Sequence, residues 1–315
     1  MKKTILALAV TGLFATTAQA ATIYEADGVQ VNVYGDIEVG FLNTTSEDTD
    51  VVIHIDDADF GFGLGYDLGN GYTVGGVLEF SGEDGDVSLG DTFVGIKSDR
   101  TGTLTIGKQA TIYDDAGIGN DYQFGFQNFY EQDKNSGFQV IKYKIDHGNV
   151  YGGIAYLMNT ELEETTNEYA VDANFGFRVA DFDFTVFYGQ AEVTKVPNNT
   201  TDGLPTNTVS NYTVEGRYQL DALALALTVA GTDNGSDDNS LSYGGSFAYA
   251  AENNVGFGAG IAYSDMEATT GEGILGYYVN LSYEFTSKVN TYIEVGGNDM
   301  DDTEVGYAAG VQVAF

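Results

Sequence analysis

The sequence predicts an all-β fold, a 16-stranded antiparallel transmembrane β-barrel with its apolar side chains on the outside. Three observations predict it: apolar and polar residues alternate along most of the chain, connections alternate between short and long, and the last residues, 307–315, form a strand with one apolar face. Such a strand would expose an apolar edge unless another strand paired with it. Pairing with the first strand closes the sheet, so that no backbone group is left unpaired in lipid.

The first twenty residues have the features of a secretory signal peptide. Two lysines precede a short apolar stretch, and Ala18-Gln-Ala20 supplies the small-x-small pattern of a cleavage site. The apolar stretch is too short to span a bilayer as a mature helix. We therefore expect residues 1–20 to be removed and residues 21–315 to form a single barrel domain.

The composition agrees with a barrel and excludes one class of partner. In 315 residues there are 42 Gly, 22 Tyr and 19 Phe but only 2 Pro, which suits strands and tight turns. The formal charge of −35 argues against nucleic-acid partners, because binding phosphates requires clustered Lys and Arg. A solvated acidic surface suited to a salty habitat is the alternative explanation for part of this charge.

The alternation is clearest in the first long strand. From Val29 to Phe41 the odd positions are almost all apolar, whereas most even positions are polar. The same period of two recurs in six later stretches: 60–68, 169–179, 212–220, 223–229, 255–263 and 277–285. Each stretch is typical of a strand with one face in lipid and the other in water.

The connections predict the number of strands. Eight long polar connections are expected at 43–50, 82–86, 108–137, 159–167, 194–210, 232–240, 265–273 and 296–303. Seven short turns are expected at 69–71, 98–102, 146–149, 180–181, 221–222, 251–254 and 286–287. Together they join sixteen strands and place both chain ends on the short-turn side, as in antiparallel outer-membrane barrels.

The longest connection, 108–137, has the composition of a functional loop. Irregular segments beyond about 15 residues are usually functional or disordered. This one carries several acids and then an aromatic run, residues 122–130, which favours packing over exposure to water. We expect it to fold into the barrel lumen. Glycines alternating through 61–65 and 256–260 either leave room for its backbone or ease strand curvature.

Short motifs in a fixed order resemble the trimeric general-diffusion porins of Gram-negative outer membranes. They are Ala21-Thr-Ile-Tyr24 with Asp27-Gly28, Val33-Tyr-Gly35, Phe93-Val-Gly-Ile-Lys97, Ile106-Gly-Lys108, Tyr113-Asp114 and the terminal Phe315. The resemblance implies a homotrimer in contact with outer-membrane lipid and lipopolysaccharide. It also implies an inward-folded third loop that forms a constriction, through which small hydrophilic solutes diffuse.

Departures from that family point to the charge of the pore. Relatives place a Lys after the Tyr-Gly of strand one and an Arg in strand two, where this chain has Asp36 and Asp59. The candidate constriction residues in the loop are Tyr113, Asp114, Asp115, Asp121 and Gln123. The candidate wall residues are Asp36, Asp59, Lys108, Lys134, Lys142, Lys144, Arg178 and Arg217. Two acids in place of cations predict a pore that prefers cations.

Two other functional classes remain open. In a substrate-specific porin, for instance for oligosaccharides, lumen aromatics would stack on sugar faces, and the candidates are Tyr34, Tyr113, Tyr122, Tyr278 and Tyr292. In a plugged or narrow barrel the protein would serve adhesion or surface charge.

Enzymatic and cofactor chemistry have little support in the sequence. The chain has only two histidines, His54 and His147, and no serine lies in a Gly-x-Ser-x-Gly elbow. No cofactor is expected. Acidic clusters at 56–59 and 233–238 could bind Ca²⁺ or Mg²⁺ through oxygen ligands, although solvated carboxylates are the favoured interpretation.

Overall fold

The computed structural model describes residues 20–83, 86–125, 135–158, 169–194, 206–233, 239–265 and 273–315. The predicted signal peptide lies outside these ranges except for Ala20. In the described part of the chain, no helix is both long and apolar enough to cross a bilayer.

The described residues form one antiparallel sheet and a single turn of 3-10 helix, Tyr113–Asp115. The strands are β1 Ala21–Ala26, β2 Val29–Asn43, β3 Val52–Asp57, β4 Phe60–Gly69, β5 Tyr72–Glu83, β6 Asp86–Ser98, β7 Gly102–Ala110, β8 Ser136–Asp146, β9 Val150–Leu157, β10 Ala170–Val179, β11 Phe182–Thr194, β12 Thr206–Leu220, β13 Leu223–Asp233, β14 Ser240–Ala250, β15 Val255–Asp265, β16 Ile274–Thr286, β17 Val289–Asn298 and β18 Gly306–Ala314.

Sixteen strand positions form the barrel wall in the part of the chain that is described. β3 pairs with the second half of β2 and β4 with its first half, so the two together occupy one position, interrupted at Ala58 and Asp59. β1 is a short additional strand that pairs with the start of β2. The predicted barrel of sixteen antiparallel strands is confirmed.

The barrel closes where the last strand meets the first long one. β18 pairs with β2 from Tyr307 opposite Asn43 to Ala314 opposite Asp36. Beyond that ladder, the Phe315 backbone N–H donates to the Gly35 carbonyl oxygen at 2.9 Å. The apolar strand that ends the chain is therefore paired, as predicted.

Side chains alternate between an apolar outer face and a polar inner face. In β2, Val39 and Phe41 are exposed on the outside, whereas Glu38 between its apolar neighbours is buried inside. Exposed Phe, Tyr, Leu, Val and Ile side chains continue this outer face around the barrel. Such a face is stable in lipid and is typical of a membrane-spanning barrel.

Tight turns close one end of the barrel, while the longer connections lie at the other. Asn70, Asp221 and Asn254 have positive φ angles of 57°, 48° and 66°. Asn and Asp adopt this left-handed conformation more readily than most residues, so they suit the two-residue turns at 70–71 and 221–222 and the four-residue turn at 251–254. The alternation of short and long connections thus follows the prediction, except that β5 and β6 remain paired to Glu83 and Asp86, so the connection expected at 82–86 is as short as a tight turn.

Gly35 leaves room for the closing contact. A methyl group there would lie 2.5 Å from the Asp59 carbonyl oxygen and 2.6 Å from the Phe315 ring. We expect Gly35→Ala to lower the yield of folded, heat-modifiable barrel on unheated gels, because overpacking costs about 1–3 kcal/mol. Gly276→Ala is the control, since its methyl would meet only the Gly297 oxygen at 4.0 Å. Equal yields for the two variants would contradict the prediction.

Candidate functional site

The segment between β7 and β8 begins against the polar inner face of the barrel. The Ile112 N–H donates to the Asp172 carboxylate of β10 at 2.9 Å. The Tyr113 hydroxyl lies 2.7 Å from the Thr213 hydroxyl of β12, and its ring meets the edge of Phe187. Burial raises the pKa of Tyr113 to about 12, so the phenol remains protonated.

The middle of the segment is held by side chains of β12 and β16. Glu215 accepts a hydrogen bond from the Gly117 N–H at 2.7 Å, and Arg217 donates to the carbonyl oxygen of the same glycine. The Asn120 N–H donates to the Tyr278 hydroxyl at 2.7 Å. These contacts fix the backbone of the segment without using its side chains.

Glu294 of β17 holds the next three residues. Its two carboxylate oxygens accept the backbone N–H groups of Tyr122, Gln123 and Phe124 at 2.7–2.8 Å. They also accept a hydrogen bond from the Asn280 amide at 2.8 Å. Glu294 is only 1% exposed. Four donors satisfy this buried charge, as a buried carboxylate requires.

The segment then contacts the wall on both sides of the β18–β2 pair, at β17 and at β3. The Gln123 amide donates to Asp56 of β3 at 2.8 Å and to the Tyr292 hydroxyl at 3.3 Å. The rings of Tyr122 and Tyr292 stack with their centroids 3.9 Å apart. Residues 112–124 therefore follow the inner wall from β10 to β17. Residues 126–134 lie outside the described ranges, and the inward fold of the whole loop stays a prediction.

Three wall carboxylates that hold this segment are not among the site residues predicted from the sequence, namely Asp172, Glu215 and Glu294. Each stands at an inward position between side chains that face outward, as in Ile293-Glu294-Val295. An acid inside an otherwise lipid-facing strand was the available signal, because a carboxylate must then point into the lumen.

The predicted acids of the loop occupy different surroundings. Asp114 accepts a hydrogen bond from the Asn135 amide at 3.0 Å, and Asp115 pairs with Lys144 at 2.5 Å. Burial raises the pKa of both Asp114 and Asp121 above the usual range. Only Asp115 of these three forms an ion pair with a wall cation among the described residues.

Four carboxylates on the wall formed by β2–β5 make up what we call the acidic band: Asp36, Asp57, Asp59 and Glu79. Asp57 lies near both Asp36 and Asp59, and the Asp36 backbone N–H donates to the Asp59 carbonyl oxygen at 3.0 Å. Glu79 accepts a hydrogen bond from the Tyr34 hydroxyl at 3.0 Å. The ion pairs found among the described residues include no member of the band. The structure thus brings Asp36 and Asp59 together and adds Asp57 and Glu79, which were not among the predicted wall residues.

Most predicted wall cations have partners of their own. Lys144 pairs with Asp115, and Arg217 pairs with Glu215 at 2.6 Å. Lys142 donates to the Ala110 carbonyl oxygen at 2.7 Å, and Lys108 donates to that of Leu89.

Two further predicted cations lie elsewhere. Arg178 is at the short-turn end, where it pairs with Asp146 at 2.9 Å and Asp183 at 3.1 Å and lies over the Tyr151 ring. Lys134 falls outside the described residues.

A cavity of about 600 Å³ lies between residues 117–122 and the wall of β12–β16. Small side chains line much of it, including Ala226 and Gly258. A methyl group on Gly258 would lie 3.0 Å from the Asn120 carbonyl oxygen, so this glycine does make room for the loop backbone. At Gly61 the corresponding space is filled by the Tyr34 ring.

The aromatic residues considered for sugar stacking are engaged in packing. Tyr34, Tyr113, Tyr278 and Tyr292 are all buried, and Tyr122 is stacked on Tyr292. Sugar binding by stacking requires an open ring face. These five rings do not form an open track along the lumen.

Comparison with known proteins agrees with this geometry. A family model described as Gram-negative porin matches residues 6–303. Porin-like protein H of Photobacterium profundum is 31% identical over 328 residues, covering 100% of both chains. A monosaccharide porin of Halomonas sp is 25% identical over 372 residues, again covering 100% of both.

A solved structure shares the fold. In-vitro folded OmpT, an outer membrane protein of Vibrio cholerae in its trimer form, superposes with a TM-score of 0.77 at 20% identity, covering 92% of this chain and 100% of that chain. The family match, the full-length relative and the sixteen-stranded barrel with its lipid-like exterior lead to one conclusion. The chain belongs to the Gram-negative porin family, whose members are channels of the outer membrane rather than enzymes.

Proposed function

We propose that this porin forms a water-filled channel for passive diffusion of ions and small hydrophilic solutes and that it prefers cations. The observation that carries the proposal is the acidic band on the wall of β2–β5, which has no ion-pair partner among the described residues. The predicted wall cations Lys144, Arg217 and Lys142 are occupied by Asp115, Glu215 and the Ala110 carbonyl oxygen, respectively. A permeating cation therefore meets uncompensated carboxylates.

The size of the electrostatic interaction with a permeating cation indicates that the acidic band, rather than the exposed acids of the long loops, determines the ion preference. A unit charge about 4 Å from a carboxylate gains roughly 1 kcal/mol in bulk water and about 4 kcal/mol at an effective dielectric constant near 20. Exposed acids of the long loops, such as Asp301, are screened beyond roughly 8–10 Å in physiological salt. They enrich cations at the mouth, whereas the acidic band sets the preference.

The loop supplies the filter in this proposal. Residues 112–124 are bound along β10–β17, and we infer that the passage runs between this segment and the acidic band. Small hydrophilic solutes would pass between the two. The charge of the band and the position of the loop together define selectivity.

A reversal potential tests the cation preference. Purified protein in a planar bilayer, with a tenfold KCl gradient, is expected to show a reversal potential of the sign that favours K⁺. Raising both salt concentrations should reduce its size, since screening shortens the reach of the carboxylates. A potential of the anion-favouring sign would remove the proposal, and an absence of conductance would favour a plugged barrel.

A sugar-specific channel is the second candidate, and a named relative motivates it. The Halomonas protein at 25% identity is a monosaccharide porin. The burial of Tyr113, Tyr278 and Tyr292 argues against sugar stacking in this chain. We expect glucose and maltose to leave single-channel current unblocked, and concentration-dependent blockade would favour the sugar-specific channel.

We also propose that the protein assembles as a homotrimer. The likeness to the trimer form of OmpT supports this, as does a broad apolar outer face that can serve both lipid and subunit contacts. Light scattering of the detergent-solubilised protein measures the mass directly. A monomer mass would contradict the assembly without affecting the channel.

A further inference from the structure

A closed ring of side-chain contacts connects Tyr122 of the loop to the wall. The Asn290 amide donates to the Tyr122 hydroxyl and to Gln312, both at 3.1 Å. The Gln312 amide donates to one oxygen of Glu38, and the Tyr292 hydroxyl donates to the other at 2.6 Å. The Tyr292 ring then stacks on Tyr122, with an angle of 4° between the ring planes.

This ring crosses the seam where the barrel closes. Tyr292 lies on β17, Gln312 on β18 and Glu38 on β2, so the three come together only when β18 is paired with β2. A methyl group on Gly310 of β18 would lie 2.5 Å from the Tyr292 ring. The tyrosine therefore uses the space left by a glycine of the seam to reach from β17 to β2.

We propose that Tyr292 is a positioning residue that couples closure of the β18–β2 seam to the place of residues 122 and 123. Its hydroxyl both donates to Glu38 and accepts from the Gln123 amide, and it is only 2% exposed. Hydrogen-bonded networks at low local dielectric act as units, so loss of one member weakens the others. This inference rests on the proposed function, because it makes the pairing of β18 with β2 one of the factors that position the selective loop.

The decisive variant is Gln312→Leu. Among the described residues, Gln312 forms side-chain hydrogen bonds with Asn290 and Glu38 and none with the loop. Any effect of Gln312→Leu on the position of the loop must therefore be transmitted by the other members of the ring of contacts. We expect Gln312→Leu and Tyr292→Phe each to raise the frequency of brief current closures several-fold. The double variant should be no worse than the stronger single one, because both cut the same unit. Thr291→Val is the control, since Thr291 bonds the Gly310 carbonyl oxygen across β17 and β18 without a link to the loop.

A chemical readout separates this inference from the channel itself. The natural chain has no cysteine, so Asp121→Cys places a single thiol directly before Tyr122 and Gln123. We expect a water-soluble maleimide to label it several-fold faster in the Gln312→Leu and Tyr292→Phe backgrounds than in the Thr291→Val background. Equal rates overturn the inference whether or not the protein conducts, whereas missing conductance alone overturns only the proposed function. If Gln312→Leu fails to assemble on unheated gels, Tyr292→Phe, which removes one oxygen atom, decides the result.

Discussion

Replacing Asp36 with Lys and Asp59 with Arg is expected to convert a cation-preferring pore into an anion-preferring one. Both side chains lie near Asp57, so each change removes one carboxylate and places a cation near another. Reversing one contact at about 4 Å changes the energy of a permeating ion by roughly 1 kcal/mol or more. Since about 1.4 kcal/mol is a factor of ten, each site should shift the permeability ratio at least several-fold.

The control for this experiment carries the same change of charge in the exposed connection between β17 and β18. Asp301 and Glu304 are exposed, so Asp301→Lys with Glu304→Arg adds equal positive charge where salt screens it. We expect a small shift that vanishes at high salt. If the control variant moved the reversal potential as far as the Asp36 and Asp59 variant, the overall charge would set selectivity and the acidic band would have no special role.

The barrel was predictable because lipid imposes a local rule. Every second side chain of a spanning strand must be apolar, so residues such as Ile37, Val39 and Phe41 reveal strand, face and period without knowledge of their neighbours. The break at Ala58 and Asp59 was not predictable in this way. It follows an irregularity of pairing in which Asp56 is an extra residue opposite Glu38 and Val39, and cross-strand register does not change an alternation with a period of two.

The site was predictable only where a single residue carries the information. Asp36 and Asp59 could be identified because each replaces a cation at a position set by the resemblance, and the structure places them side by side. The attachment of the loop depends instead on pairs far apart in the chain, such as Tyr122 and Glu294 at a separation of 172 residues. Such pairs are created by closure of the barrel, so no local pattern encodes them.

Removing the carboxylate of Glu294 is expected to release residues 122–124 from the wall while leaving the barrel intact. In Glu294→Gln one oxygen becomes an NH₂ group, which cannot accept the backbone N–H groups that it would face. At least two of the four donors lose their acceptor, and hydrogen bonds to a charged group are worth about 1.5–3 kcal/mol each. That loss is large enough to turn a docked segment into a mobile one.

Single-channel recording and gel mobility distinguish this outcome from misfolding. We expect Glu294→Gln to remain heat-modifiable but to show several-fold more current noise. Its cation preference should also be weaker, because the released segment no longer confines permeating ions to the space beside the acidic band. Glu284→Gln is the matched control, since that carboxylate is exposed on the neighbouring strand β16. Quiet, wild-type current in Glu294→Gln would mean that Asp172, Glu215 and the Tyr122–Tyr292 stack suffice to hold the loop. The buried charge would then serve the stability of the wall and not the filter.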